Sequence, residues 1–110
     1  MSEALCRLEE IDDPGARGFT RPQEPREIFV VRRGGAVHGY VNSCPHIGTP
    51  LEFRPDQFLT RERDEILCST HGARFEISTG RCTAGPCHGR SLQAVAVGIV
   101  NGWVILNPSG

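Results

Sequence analysis

The chain has 110 residues, 38% of them hydrophobic, and a formal charge of −1, which suits one domain with one core and offers no basic stripe for nucleic acid. Thirteen glycines and eight prolines signal many turns, and all twelve basic residues are arginine, which reads as coding bias rather than as a binding surface. No stretch approaches the about eighteen apolar residues of a membrane span, and the opening MSEALCRLEEIDDPG lacks the basic patch and apolar run of a secretory signal, so a cytoplasmic protein with reduced thiols is expected.

In chain order, residues 4–11 (ALCRLEEI) alternate imperfectly and predict a first strand, with Cys6 as a small buried hydrophobe. Asp12-Asp13-Pro14-Gly15 breaks that pattern and opens a polar loop expected to run through Pro25. Residues 26–32 (REIFVVR) and 36–41 are β-branched and aromatic, and Arg33-Gly34-Gly35 between them predicts a hairpin turn. His38, inside the second of these strands, reads as structural or solvated. Residues 52–63 have no clean period and are expected to be a connecting excursion with at most one helical turn. Strands are predicted over 64–69 and 73–78, with a turn at Thr79-Gly80 and a loop over 83–89. Residues 91–100, then Asn101-Gly102, then 103–106 form the clearest hairpin signal, because both positions of a type I′ turn need positive φ. Trp103 reads as core. No segment sustains a 3.6-residue apolar stripe, so the expected architecture is all-β in a single domain over residues 1–110.

Two short runs carry the chemistry. Cys44-Pro45-His46 is followed, after 21 intervening residues, by Cys68-Ser69-Thr70-His71. Two thiols and two imidazoles on two separate turns form a four-ligand metal set, of the soft-to-borderline kind that zinc, copper and iron–sulfur clusters take. Each run has its own glycine just beyond the histidine, Gly48 and Gly72, where the backbone can turn tightly. A structural zinc site is the competing reading, but such sites usually pair Cys with Cys and His with His locally. Here each turn supplies one of each.

The paired C-x-H and C-x-x-H, each followed by Gly, resembles the Rieske proteins, in which two Cys bind one iron of a 2Fe-2S cluster and two His bind the other. The resemblance implies that Cys44 and Cys68 hold the inner iron and His46 and His71 the outer one. It extends to Gly80 and to Ala84-Gly85-Pro86, which resemble the family's proline loop over the cluster. The implied fold is Rieske-like: an antiparallel β-sandwich base with a small cluster-binding subdomain of two ligand loops, over about residues 43–90.

Departures from the family pattern refine the expectation. The cytochrome-complex type has an extra cysteine in each ligand turn, joined as a disulfide, where this chain has Thr49 and Thr70. The chain therefore resembles the soluble ferredoxin and oxygenase type. Ala73 and Phe75 stand where the high-potential type has Ser and Tyr, whose hydroxyls donate to sulfur and favour the reduced cluster. Without them the potential is expected toward the lower end of the family range, about −150 mV, and nearly independent of pH around neutrality. Cys82 and Cys87 flank the proline loop, and reduced thiols are expected there rather than a redox-active pair. A second metal at Cys82, Cys87 and His88 has only three candidate ligands and is not expected.

The implied function is electron transport by an iron–sulfur protein, not catalysis. The chain is expected to act as a monomeric one-electron carrier of low potential. It would take electrons from a flavin-dependent reductase and pass them to a terminal oxygenase or other redox enzyme, with neither membrane nor nucleic acid involved. A Rieske-like small subunit of a larger enzyme, such as a nitrite reductase, and a zinc-bearing interaction module are the alternatives.

Overall fold

The computed structural model describes residues 3–21, 24–45, 50–52, 56–68, 72–87 and 89–107. Among these, ten strands form three antiparallel sheets, with one 3-10 turn at Leu8–Glu10. Among the described residues, no helix is long and apolar enough to cross a membrane. The first sheet has the order β1 (Glu3–Arg7), β10 (Trp103–Leu106), β9 (Val97–Val100). The second has β2 (Gly15–Arg21), β3 (Glu24–Arg33), β4 (Ala36–Val41) and β8 (Ala94–Val95). The third has β5 (Glu65–Leu67), β6 (Arg74–Glu76) and β7 (Cys82–Ala84).

β3 explains why this sequence needs both neighbouring layers. Side chains alternate across a strand, and in the run Ile28 to Val31 every residue is buried. Val30 joins Cys6, Ile11 and Val104 in a core beside the first sheet. Phe29 and Val31 point the other way, into the larger core with Phe58, Ile66, Phe75 and Ile77 beside the third sheet. A strand buried on both faces reads as an unbroken apolar run, which is what IFVV is. Phe29 stacks on Phe58 with ring centroids 4.3 Å apart.

The hairpin between β3 and β4 forms as its residues predict, with Gly34 and Gly35 at φ 63° and 80°. The Asp13 carboxylate accepts from the amides of Gly34 at 2.8 Å and Gly35 at 3.3 Å, fixing that turn. Asn101 and Gly102, at φ 51° and 81°, turn β9 into β10.

Five expectations are corrected. Residues 15–21, expected as loop, form the edge strand β2 on β3. Their glycine and arginine content hides the strand, and a Cβ at Gly18 would stand 3.2 Å from the Phe58 ring, a tight contact. The stretch 91–100 is not one strand. β8 pairs with β4 and β9 pairs with β10, so the chain changes sheet between them. The loop expected from Thr83 begins within β7. Trp103 is 39% exposed rather than core, with the Arg7 guanidinium 5.2 Å from its ring centroid. The first predicted strand ends at Arg7 and passes into the 3-10 turn.

Candidate metal centre

The first Cys–His turn leaves the end of β4 and the second lies between β5 and β6. Cys44 and Cys68 are both fully buried and belong to one core cluster with Phe29, Phe58 and Phe75. Neither is joined in a disulfide. His46 and His71, with Gly48, Thr49 and Thr70, lie outside the described residues, as does His88. Among the described residues, no group of three or more metal-ligating side chains comes together.

The second turn is held closed by its own backbone. The Cys68 amide donates to the Ala73 carbonyl and the Gly72 amide to the Cys68 carbonyl, both at 2.8 Å. Gly72 takes φ 70°, the left-handed conformation that the glycine after the histidine was expected to allow. The first turn is tied at its neck by Asn42, a buried polar side chain. Asn42 Oδ1 accepts from the Leu51 amide at 2.8 Å, and its Nδ2 donates to Glu52 Oε1 at 2.7 Å.

The proline loop sits against the second turn. Gly85 has φ 97°, and a Cβ on it would lie 2.8 Å from the Ala73 Cα. The same loop reaches the first turn through Arg90, whose Nη1 donates to the Pro45 carbonyl at 2.9 Å. Gly80 packs under Tyr40, whose hydroxyl donates to the Ile77 carbonyl at 2.6 Å. Ala73, Phe75 and Ile77 alternate inward while Arg74 and Glu76 face out, so the two positions that lack hydroxyls lie on the core face.

Cys82 and Cys87 are not joined to each other. Cys82 Sγ lies 3.3 Å from the Ala84 carbonyl oxygen. Cys87 Sγ instead lies 3.6 Å from Cys44 Sγ, with both residues fully buried. Reading the sequence missed this pairing, and it missed Asn42 and Arg90. Only the polarity of Asn42, two residues before the C-x-H run, offered a signal, since an Asn beside a turn often bonds to backbone nearby.

The donor chemistry fits an iron–sulfur cluster. Two buried cysteines in one core, drawn from two turns, offer the soft sulfur ligands that such a centre takes.

The model of the Rieske [2Fe-2S] domain family matches residues 3–101. Human apoptosis-inducing factor 3 is 32% identical over 82 residues, which are 73% of this chain and 12% of that protein. The chain therefore spans about an eighth of the length of that curated relative. Among solved structures, the ferredoxin of carbazole 1,9a-dioxygenase from Nocardioides aromaticivorans IC177 matches with a TM-score of 0.79 and 26% identity, covering 98% of both chains. The Sphingomonas yanoikuyae B1 ferredoxin matches with a TM-score of 0.76 and 25% identity, over 96% of this chain and 97% of that one. A family match across most of the chain, on an all-β fold shared end to end with these ferredoxins, shows that the chain belongs to the Rieske [2Fe-2S] domain family and binds one 2Fe-2S cluster.

Proposed function

We propose that this chain is a one-electron carrier of the Rieske ferredoxin type, with Cys44 and Cys68 on one iron and His46 and His71 on the other. The observation that carries the reading is the likeness to the carbazole dioxygenase ferredoxin over 98% of both chains. The proposal treats residues 1–110 as one domain, with the cluster-binding part at about 43–90.

A 2Fe-2S cluster supplies reversible one-electron chemistry when bound. The residues of the chain set its conditions. Cys44 and Cys68, fully buried, exclude water from the sulfur side. The Gly85 contact on Ala73 and the Arg90 bond to Pro45 hold the proline loop against both turns. Ala73 and Phe75 present no hydroxyl toward the core, which argues for the low-potential type. The donor in this reading is a flavin-dependent reductase and the acceptor a terminal oxygenase, with the carrier acting as a monomer. Five cysteines without a disulfide suit the reducing cytoplasm.

The test is an absorption spectrum before and after dithionite, with iron and sulfide counted. A red-brown protein that bleaches on reduction, with two iron and two sulfide per chain as the family name states, supports the carrier. Loss of iron in Cys44→Ala, His46→Ala, Cys68→Ala and His71→Ala supports the four ligands. A colourless protein holding one zinc overturns both. Bleaching by a separate NADH-driven flavoprotein reductase, followed by reoxidation on adding an oxygenase, supports the named partners.

The match to apoptosis-inducing factor 3, of which the chain spans 12%, favours a second reading, an electron-carrying domain fixed within a larger redox protein. Stable co-purification with a large redox enzyme, together with failure to accept electrons from any free reductase, would decide for it.

A further inference from the structure

The unassigned contact is between Cys44 and Cys87. Their sulfurs lie 3.6 Å apart, 43 residues apart in sequence, and both side chains are fully buried. Three ties put Cys87 there. Gly85 holds the start of its loop against Ala73. The Arg90 amide donates to the Cys87 carbonyl at 2.9 Å, which turns the chain around the cysteine. The Arg90 guanidinium then anchors the end of the loop on Pro45, the residue next to Cys44.

We propose that Cys87 is a positioning residue for electron transfer, its thiol donating an S–H···S hydrogen bond to the Cys44 sulfur and making the cluster easier to reduce. The inference rests on the assignment of Cys44 as a ligand. A cysteine on iron is a thiolate with no proton of its own, so the proton between the two sulfurs belongs to Cys87. A donor aimed at a cluster sulfur gains strength when the cluster takes on an electron, because hydrogen bonds to charged acceptors are the stronger ones. It therefore favours the reduced state, and hydrogen bonds to the sulfurs are a recognised lever on potential. With Ala73 and Phe75 unable to donate, Cys87 supplies a side-chain donor from the opposite loop.

The experiment is voltammetry of the cluster-loaded protein, as isolated and as Cys87→Ala and Cys87→Ser. Cys87→Ala should make the cluster harder to reduce by about tenfold, about 59 mV for one electron, and Cys87→Ser should recover most of the difference through its hydroxyl. Equal midpoints for all three proteins overturn the proposal, because a cysteine that only fills space would leave the potential alone. Should the variants fail to load, a Cys6→Ala and Cys82→Ala protein leaves Cys87 as its one thiol besides the ligands. Its S–H infrared band should move to lower frequency on reduction, and an unmoved band overturns the proposal. Cys44→Ala separates this from the underlying assignment. Full retention of iron and sulfide there removes the ligand assignment itself, whereas their loss beside an unmoved S–H band removes only the role of Cys87.

Discussion

The amide of Leu51 donates to the side-chain oxygen of Asn42 at 2.8 Å, closing the neck of the loop that carries Cys44 and His46. Both residues are buried, so this bond joins the two ends of that loop inside the core. Asn42→Ala removes the acceptor from a buried amide, which costs about 1–3 kcal/mol. Denaturant unfolding should show that loss, and iron should leave the variant faster in the presence of a chelator. Asn42→Asp keeps the acceptor but sets a second carboxylate against Glu52, which now accepts from Asn42 Nδ2. It should therefore be nearly as unstable at neutral pH and recover in mild acid. A variant of parental stability would show that the neck bond is dispensable.

Gly85 meets two requirements at once. Its φ of 97° suits glycine alone, and the space where a Cβ would stand is filled by the Ala73 backbone at 2.8 Å. Gly85→Ala should lift the proline loop from the second Cys–His turn at a cost of about 1–3 kcal/mol. The expected signs are a lower melting temperature and faster bleaching in oxygenated buffer, as water gains access to the sulfur side. Gly89→Ala is the control. Gly89 also has positive φ, but open space surrounds its Cβ position, so that variant should carry backbone strain without the collision and keep the loop seated.

Tyr40 gives a pH dependence with a definite sign. Burial, with a smaller contribution from the Glu76 carboxylate, pushes its phenol up from the ordinary 10 to about 12. The folded form therefore holds its proton where the unfolded chain gives it up. The stabilising contribution of Tyr40 is complete below about pH 10 and is lost as pH rises through about 12. Tyr40 is the only tyrosine in the chain, so the phenolate absorbance reports it alone, and its midpoint should lie near 12 in the folded protein. Tyr40→Phe loses the bond to the Ile77 carbonyl, about 0.5–1.5 kcal/mol at neutral pH, and should show a flatter decline in stability between pH 10 and 12. A midpoint at 10 would mean that the ring is not held in this pocket.

The metal site and the fold differ in how far the sequence disclosed them, for physical reasons. The two Cys–His runs, proposed as the ligand set, stand out in the sequence because metal ligation draws on few residue types at short spacing. Asn101-Gly102 and Gly34-Gly35 are legible because positive φ restricts the choice of residue. β2 was not legible, because an edge strand needs only one paired side and tolerates Gly18 and the arginines. The break between β8 and β9 was hidden in a continuous apolar run, since a strand that changes sheet keeps its hydrophobic residues. The approach of Cys87 to Cys44 was invisible because it depends on how two loops pack across 43 residues, and no local pattern encodes that.

The absence of hydroxyls at Ala73 and Phe75 makes the last prediction. Both positions face the core that holds Cys44 and Cys68, and Ala73 accepts the Cys68 amide bond that shapes the second turn. Ala73→Ser adds one small donor beside Cys68, a ligand in the proposed reading, so the midpoint should rise, by about 59 mV for each tenfold gain in the stability of the reduced state. Phe75→Tyr adds a donor farther along the same face, and the double variant should rise by more than either single one. Stability provides the internal check. Phe75 is fully buried, so a tyrosine hydroxyl that finds no sulfur to bond would be left unsatisfied at a cost of about 1–3 kcal/mol. A raised midpoint with stability retained would show that the hydroxyls reach the cluster and that their absence sets its low potential. Lost stability with an unmoved midpoint would show that neither position addresses the cluster, and the low-potential reading would fall with it.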